Sequence, residues 1–184
     1  ILGQYTALTF ADLVDLMQQY PDIVVMLDAR DISGSETARL YREILAATDG
    51  LPEVRSRLIP GGYRPEMVAA IRALHPFSAI DIYWHAEGDR TPGLETAEAF
   101  AEWCRSNGVG IISISIGNYI DAEAQVFMDA GLQVFVFSSE DAAEVAALLA
   151  KGVAVVGTDS LDPAFLIGDA VETVDASLTA SSPR

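Results

Sequence analysis

Positive charge is scarce in this chain. Its 184 residues contain 11 lysines and arginines against 27 aspartates and glutamates, so the formal net charge is −16, and Lys151 is the only lysine. A surface this acidic repels polyphosphate backbones and anionic membranes, and no basic run offsets it. The composition therefore predicts no nucleic-acid partner, and an anionic substrate would need a metal ion or a few well-placed arginines.

Cysteine and long apolar runs are scarce too. Cys104 is the only cysteine, which excludes an intramolecular disulfide framework, a Cys-x-x-Cys pair and a cysteine-based zinc site. No apolar run reaches membrane-spanning length and no signal-peptide pattern opens the chain, so we predict no transmembrane segment and a cytoplasmic location. The first residue is Ile1 rather than methionine, so a preceding segment is expected, and it would hide any export signal. Nothing in the sequence predicts an oligomeric state.

The remaining composition is that of a globular domain, with 51% apolar and 21% charged residues. We place one domain over residues 1–172. Residues 173–184 are small and polar, which indicates a tail or linker.

Six short apolar segments alternate with six segments that have helical periodicity or helix caps. The strands are predicted at 23–27, 56–60, 79–85, 110–116, 132–137 and 152–159, and the helices at 9–20, 35–48, 64–74, 91–108, 118–131 and 138–152. This alternation predicts a parallel α/β sheet buried on both faces. An open doubly wound sheet and a (β/α) barrel both fit, although six strands are two short of a barrel. The nucleotide-binding versions of the open sheet are disfavoured because no G-x-G-x-x-G or P-loop follows a strand.

In either architecture the functional residues lie at the carboxyl ends of the strands. Asp28 and Arg30 follow the first strand, and side chains at i and i+2 of an extended chain point the same way. A carboxylate suits a divalent metal and a guanidinium suits a phosphate. The pair is equally explained as an exposed ion pair that contributes less than about 1 kcal/mol. Both interpretations stay open on spacing alone.

Two further candidates lie at the same predicted edge. Tyr63 follows Gly61-Gly62 at the end of the second strand, and His85 ends the third. His85 has the pKa range of a general acid or base, but a hydrogen-bonded histidine at the rim is the favoured interpretation. No Ser-His-Asp set or nucleophile elbow is present.

Three segments resemble the glycerophosphodiester phosphodiesterase family of TIM barrels. The closing segment QVFVFSSEDAAEVAALLAKGVAVVGTDSLDP is similar to that family's last helix and strand, with matches at Gly152-Val153, Gly157-Thr158-Asp159 and Pro163. TALTFADLVDLMQQYPDIVVMLDARD resembles the helix and third strand, which ends in Glu-x-Lys or Asp-x-Lys. RLIPGGYRPEMVAAIRALHPFSAI is similar to an Arg-x-Ile-Pro-x-x-Tyr-x-x-x-Met segment of a bacterial subgroup.

The resemblance implies an α/β fold of (β/α) TIM-barrel type with six of the eight βα units, strands three to eight. It implies metal-dependent hydrolysis of a small phosphodiester, with Asp28 as a ligand of Mg²⁺ or Ca²⁺. Arg30 would act as a catalytic residue at the phosphate, and Arg30, Tyr63 and His85 would bind substrate. The family's His-x-Gly, Glu-x-Asp and His-Asp motifs belong to the first two strands, which are expected upstream of Ile1.

Two departures from the family pattern keep an alternative open. FSSED replaces the usual Thr-Val-Asn region, and Gly61-Gly62 stands where a polar residue is common. These departures motivate a second hypothesis, a catalytically inactive barrel that serves as a binding or regulatory module. A third, an aldolase or isomerase type of α/β enzyme, lacks a Schiff-base lysine because Lys151 lies at a helix end.

Overall fold

A computed structural model describes residues 7–30 and 32–162 of the chain. The predicted match at Pro163 and the predicted tail over 173–184 lie outside these residues, so the proposed domain boundary stays a prediction. Within the described part, the strands are β1 (Val25–Leu27), β2 (Leu58–Gly62), β3 (Asp81–Trp84), β4 (Ile111–Ser115), β5 (Gln133–Phe137) and β6 (Val155–Val156). The α-helices are α1 (Phe10–Gln19), α2 (Gly34–Ala47), α3 (Pro52–Arg55), α4 (Pro65–Arg72), α5 (Ala97–Ser106), α6 (Asp121–Asp129) and α7 (Ala142–Ala150).

The six strands form one parallel sheet in the order in which they occur in the chain, from β1 to β6. A doubly wound sheet would require the chain to reverse direction past its first strand, and this sheet has no such switch point. Right-handed crossovers between successive neighbours place the helices on one face. The architecture is therefore a parallel half-barrel, which decides between the two folds that the sequence left open.

The hydrophobic core lies between the sheet and the helices. Alternate residues of the central strands face the helices and are almost fully buried. These are Ile82, Trp84, Ile112, Ile114, Val134 and Val136. They pack with helix residues such as Met17, Tyr41, Ile71, Phe100 and Phe127. Each large buried side chain contributes about 1.5–3 kcal/mol, so this layer supplies most of the stability of the fold.

The inner face of the sheet is different. Tyr83, Phe135 and Phe137 face inward and are only half-buried, and Val155 is 51% exposed. The prediction that the strands are buried on both faces is therefore correct for the outer face only. The reason is geometric, since six strands curve around a lumen without closing it.

Helix caps follow the sequence closely at the start of the chain. Thr9 and Asp12 form a complete capping box at α1, which agrees with the helix predicted from residue 9. At α2 the cap is Ser33, because Glu36 lies three residues further on and completes a second capping box.

Three later helices, α5, α6 and α7, begin further along the chain than predicted. The helix predicted from residue 91 begins only at Ala97, where the hydroxyl of Thr96 accepts a hydrogen bond from the Ala99 amide. The helix predicted over 138–152 begins only at Ala142. Asp141 caps that helix and accepts hydrogen bonds from two backbone amides of its first turn.

Gly61 is required where β2 approaches β1. A Cβ atom at this position would lie 2.6 Å from the carbonyl oxygen of Leu27, a backbone atom that cannot move without separating the strands. The buried Tyr41 hydroxyl also accepts a hydrogen bond from the Gly61 amide at 3.2 Å. Packing therefore explains why glycine stands here.

We expect Gly61→Ala to lower the free energy of unfolding by about 1–3 kcal/mol, because the new methyl group forces β1 and β2 apart. Gly88→Ala is the matched control, since no atom lies within 4 Å of its added Cβ. Its effect should stay within about 0.5 kcal/mol. Urea unfolding measures both, and equal effects of the two substitutions would contradict the steric argument.

No helix within residues 7–30 and 32–162 is long and apolar enough to cross a membrane. The cytoplasmic location stays a prediction from the sequence. Cys104 is fully buried in α5, and burial raises the pKa of its thiol to about 12, so it behaves as a packing residue.

Candidate active site

A tight turn follows β1 and brings Asp28 and Arg30 together. The backbone amide of Arg30 donates a hydrogen bond to Asp28 Oδ1 at 3.0 Å, and Arg30 Nε lies 3.8 Å from Asp28 Oδ2. The strand ends at Leu27, so this turn, rather than strand alternation, places the two side chains side by side. Arg30 has a φ of 58°, a left-handed conformation that is uncommon for a residue other than glycine and costs about 1 kcal/mol or more.

The Asp28–Arg30 ion pair is exposed. The side chain of Asp28 is 56% exposed and that of Arg30 is 84% exposed. Water screens such a pair, so it contributes less than about 1 kcal/mol to stability. Stability alone therefore does not explain a strained backbone at this position.

Hydrogen bonds join Asp28 to the ends of the next two strands. The Tyr63 hydroxyl donates to Asp28 Oδ1 at 3.1 Å, and His85 Nε2 lies 2.7 Å from the carbonyl oxygen of Tyr63. A carbonyl only accepts, so Nε2 carries the proton and donates. Burial, with the Asp28 carboxylate adding to it, raises the pKa of Tyr63 to about 12, which keeps its hydroxyl a donor at neutral pH.

The structure thus gathers all four residues that the sequence predicted for the site. Asp28, Arg30, Tyr63 and His85 lie at the carboxyl ends of β1, β2 and β3, which are neighbours in the sheet. Their proximity is a fact of the fold, and their chemical roles stay a prediction. The hydrogen-bonded rim histidine that the sequence offered as one interpretation of His85 is present.

Below this edge lies a cavity of about 130 Å³ on the inner face of the half-barrel, and sequence reasoning missed its main polar residue. Asp81 is 7% exposed and accepts a hydrogen bond from the Ser113 hydroxyl at 2.8 Å. Burial raises the pKa of Asp81 to about 7, although the Ser113 bond acts in the opposite direction. The sequence contained a signal for Asp81, because it is the one acidic residue in the apolar segment 79–85. Carboxylates are seldom buried without a role.

Asp81 should make stability depend on pH. With a folded pKa of about 7 against an ordinary value of 3.8, the folded protein binds more protons between these limits. Its contribution to the free energy of unfolding is therefore fully present below about pH 4 and is lost as the pH rises to about 7, by roughly 2–4 kcal/mol.

The test replaces this carboxyl group with a neutral amide. Asp81→Asn still accepts from Ser113, so we expect the variant to be more stable than wild type at about pH 8 and to lose most of the pH dependence. Asp15→Asn, on the exposed side of α1, should keep the wild-type profile. Urea unfolding at several pH values provides the measurement, and identical profiles for Asp81→Asn and wild type would refute the assignment.

A divalent metal does not fit the described residues alone. Within residues 7–30 and 32–162, no group of three or more histidine, cysteine, aspartate or glutamate side chains is placed to hold one. Asp28 supplies one exposed carboxylate, whereas hard cations take six or more oxygen ligands. The tripeptide Glu87-Gly88-Asp89 matches the sequence pattern Glu-x-Asp, but it forms an exposed 3-10 turn after β3.

The loops after β5 and β6 are tied together by Glu140. Its carboxylate accepts hydrogen bonds from the Thr158 hydroxyl, from the amides of Asp159 and Ser160, and from the Ser160 hydroxyl. These bonds, led by that of the Asp159 amide, lower the pKa of Glu140 to about 2. The FSSED segment and the Gly-Thr-Asp segment are therefore joined by the side chain of Glu140.

The loop after β3 is held by a largely buried ion pair. Arg90 Nη2 donates to both carboxylate oxygens of Glu123, at 2.8 and 2.9 Å, and Trp84 Nε1 donates to the same carboxylate at 2.8 Å. The guanidinium carbon of Arg90 lies 4.0 Å from the centre of the Trp84 ring. Arg90 Nε donates to the His85 carbonyl at 3.4 Å, so this pair positions the backbone that carries His85.

Several solved structures with a similar fold are described as phosphodiesterases. A glycerophosphodiester phosphodiesterase from Parabacteroides distasonis superposes with a TM-score of 0.61 and 12% identity, over 82% of this chain and 59% of that one. A protein from Silicibacter pomeroyi, assigned as a glycerophosphoryl diester phosphodiesterase, superposes with a TM-score of 0.64 and 15% identity. The superposition covers 80% of this chain and 51% of that one. The chain has the fold of the glycerophosphodiester phosphodiesterases. An Oleispira antarctica phosphodiesterase, solved with its product sn-glycerol-3-phosphate, also shares this fold, with a TM-score of 0.59 and 13% identity. The superposition covers 79% of this chain and 55% of that one.

The likeness is one of structure and covers part of each relative. The chain spans between 51% and 59% of the length of these phosphodiesterases. No protein-family model and no curated protein sequence matches the chain. The comparison therefore shows a shared fold, with Asp28, Tyr63 and His85 at the carboxyl ends of three neighbouring strands.

Proposed function

We propose that the full-length protein hydrolyses small phosphodiesters, such as a glycerophosphodiester or a lysophospholipid-like substrate, with a divalent cation. The observation that supports this most is the hydrogen-bonded set of Asp28, Tyr63 and His85 at the carboxyl edge of a phosphodiesterase fold. In parallel α/β folds that edge carries the chemistry. Hydrolysis of a phosphodiester needs groups that neutralise the phosphoryl oxygens.

Each predicted residue has a proposed role. Asp28 contributes one carboxylate to a Mg²⁺ or Ca²⁺ site, and the cation would polarise the phosphoryl oxygens when bound. Arg30, whose guanidinium is largely exposed, binds the phosphate and balances the charge that builds on it. The Tyr63 hydroxyl holds Asp28 in place, and Tyr63 and His85 line the substrate side of the edge.

Asp28 alone supplies too few ligands for a divalent cation, so the proposal includes further ligands from outside the described residues. The six strands correspond to the third to eighth strands of a complete barrel. Two further βα units, from polypeptide outside the described residues, would pair with the free edges of β1 and β6 and supply the remaining ligands and the acid and base. The partial coverage of the solved phosphodiesterases supports this proposal.

The alternative hypothesis of an inactive barrel was based on two departures from the family pattern, and each of them has another explanation. Gly61 is explained by its close approach to Leu27, and the FSSED segment by the hydrogen bonds of Glu140. Neither departure from the family pattern has to be explained by loss of catalysis, and no contact in the described residues favours the alternative.

The experiment is an assay of the full-length protein on bis(p-nitrophenyl) phosphate and on glycerophosphodiesters. We expect activity with Mg²⁺ or Ca²⁺, loss of activity with a chelator, and recovery when the cation returns. Hydrolysis that persists undiminished in chelator would contradict the metal-dependent mechanism, and no hydrolysis under any condition would favour the binding module.

A further inference from the structure

Arg90 uses every nitrogen of its guanidinium group in the loop that follows β3. Nη2 donates to both carboxylate oxygens of Glu123, and Nη1 donates to the Glu95 carbonyl at 2.8 Å. Nε donates to the His85 carbonyl at 3.4 Å, and the flat face of the group lies over the Trp84 ring. A planar fork that is bonded at its edges and covered on one face has a single orientation. The Arg90 side chain is therefore a fixed part of this loop.

The contacts of Arg90 close the base of the loop. β3 ends at Trp84 and α5 begins at Ala97, so the His85 and Glu95 carbonyls lie at the two ends of the connection. Trp84 is also the last residue of β3 that pairs with β4. His85 lies just beyond the paired residues, where its carbonyl is bonded by Arg90 instead.

The anchor of this arrangement is Glu123, in the first turn of α6. The side chains of Arg90 and Glu123 are only 10% and 20% exposed. They belong to the connections after β3 and β4, the two central strands of the sheet, whereas further βα units would join at β1 and β6. The burial of this ion pair therefore does not depend on how the barrel closes.

Stability alone is a weak explanation for a buried ion pair. Removing two charges from water is costly, and well-packed apolar side chains often stabilise a protein equally well. The rings of Trp84, Phe100 and Phe127 show that apolar side chains pack readily in this layer. Apolar side chains cannot hold two backbone carbonyls in place, so the pair is better explained by the geometry that it imposes on the loop.

A continuous path of hydrogen bonds leads from this pair to the candidate site. Arg90 holds the His85 carbonyl, and the His85 ring donates through Nε2 to the Tyr63 carbonyl at 2.7 Å. The Tyr63 hydroxyl in turn donates to Asp28 Oδ1 at 3.1 Å. Because Nε2 carries the proton, Nδ1 is the ring nitrogen of His85 that can accept a hydrogen bond.

We propose that Arg90, held by Glu123, is a positioning residue of the candidate active site. It fixes the backbone of His85, so that the ring keeps Nε2 as a donor and offers Nδ1 as an acceptor to the substrate. Partners that orient a functional side chain are costly to remove, because small misplacements lower activity strongly. The effect on turnover rests on the proposed function, whereas the effect on the His85 ring does not.

The His85 ring is tested first, because this test needs no substrate. The full-length protein is labelled with 15N-histidine, and NMR distinguishes the protonated from the unprotonated ring nitrogen in the neutral ring. The His85 signal is the one that His85→Gln removes. We expect a single tautomer with the proton on Nε2 in wild type, and at least about a tenth of the second tautomer in Arg90→Met. His75, after α4, should not change and serves as the internal reference.

Two further variants separate positioning from stability. Arg57→Met makes the same change at an arginine that also bonds backbone carbonyls, next to the amino end of β2, and should leave the His85 signal unchanged. Arg90→Lys keeps the charge opposite Glu123, but one ammonium cannot reach Glu123 and both carbonyls. We expect it to fold stably and still show the altered His85 signal, so it also serves if Arg90→Met fails to fold. A wild-type His85 signal in both Arg90 variants, or the same change in Arg57→Met, would overturn the inference.

Kinetics then connects the ring to turnover. A variant that unfolds a fraction of the molecules lowers kcat and leaves KM unchanged, because the remaining molecules are normal. A misplaced substrate-binding group raises KM instead. We expect Arg90→Met to raise KM for a glycerophosphodiester about tenfold with kcat within about threefold of wild type, and Arg57→Met to leave KM unchanged.

The positioning role and the proposed function can fail separately. An altered His85 signal in Arg90→Met, with no hydrolysis by the wild-type protein, would support the positioning role and contradict the proposed function. Hydrolysis by wild type, with KM and the His85 signal both unchanged in Arg90→Met, would support the function and contradict the positioning role.

Discussion

Asp28→Asn is expected to lower kcat/KM for a glycerophosphodiester by about 100-fold or more, with little change in stability. The amide of asparagine still accepts hydrogen bonds from the Arg30 amide and the Tyr63 hydroxyl, so the turn after β1 keeps its shape. It lacks the negative charge that a divalent cation requires, and losses at metal sites reach this size even for residues one contact removed from the metal.

Two measurements distinguish this role from a structural one. Calorimetry with Mg²⁺ or Ca²⁺ should show cation affinity about tenfold weaker or worse in Asp28→Asn, independently of turnover. Thermal or urea unfolding should change by less than about 1 kcal/mol, because the side chain is 56% exposed and its ion pair is screened.

Asp22→Asn is the matched control for this experiment. It makes the same chemical change in an exposed turn that precedes β1, at the opposite end of the strand. We expect wild-type activity and cation binding from it. Full activity in Asp28→Asn, or an equal loss in both variants, would remove Asp28 from the site.

Arg90→Met is expected to lower the free energy of unfolding by about 2–3 kcal/mol. The side chains of Arg90 and Glu123 are only 10% and 20% exposed. Removing the cation leaves the Glu123 carboxylate largely buried with Trp84 as its remaining donor, and breaking such a pair costs several kcal/mol. Methionine still covers the Trp84 ring, so the loss reports mainly the ion pair.

Arg39→Met is the corresponding control, because Arg39 and Glu43 form an exposed pair one helical turn apart, 70% and 64% exposed. Its expected cost is within about 0.5 kcal/mol. In the double variant of Arg90→Met with Glu123→Gln, the total should fall below the sum of the single effects by about 1–2 kcal/mol, since the second change removes the unpaired charge. Additive effects in urea unfolding would show that the two side chains are not coupled.

The sequence by itself determined the order of the six strands and the residues of the candidate site. Capping boxes, a proline at the start of α4 and short apolar strands are local signals, because each depends on residues a few positions apart. The strand ends then identified Asp28, Arg30, Tyr63 and His85, since parallel strands bring their carboxyl ends to one edge.

Only the tertiary structure decided which distant residues meet. Arg90 and Glu123 are 33 residues apart, Ser113 and Asp81 are 32 apart, and Glu140 bonds to residues about 20 positions away. No periodicity encodes such pairs, because side-chain contacts between strands depend on register and sheet curvature. The same curvature left the inner face half-open, so Tyr83, Phe135 and Phe137 are only half-buried, whereas the apolar pattern of the strands predicted burial on both faces.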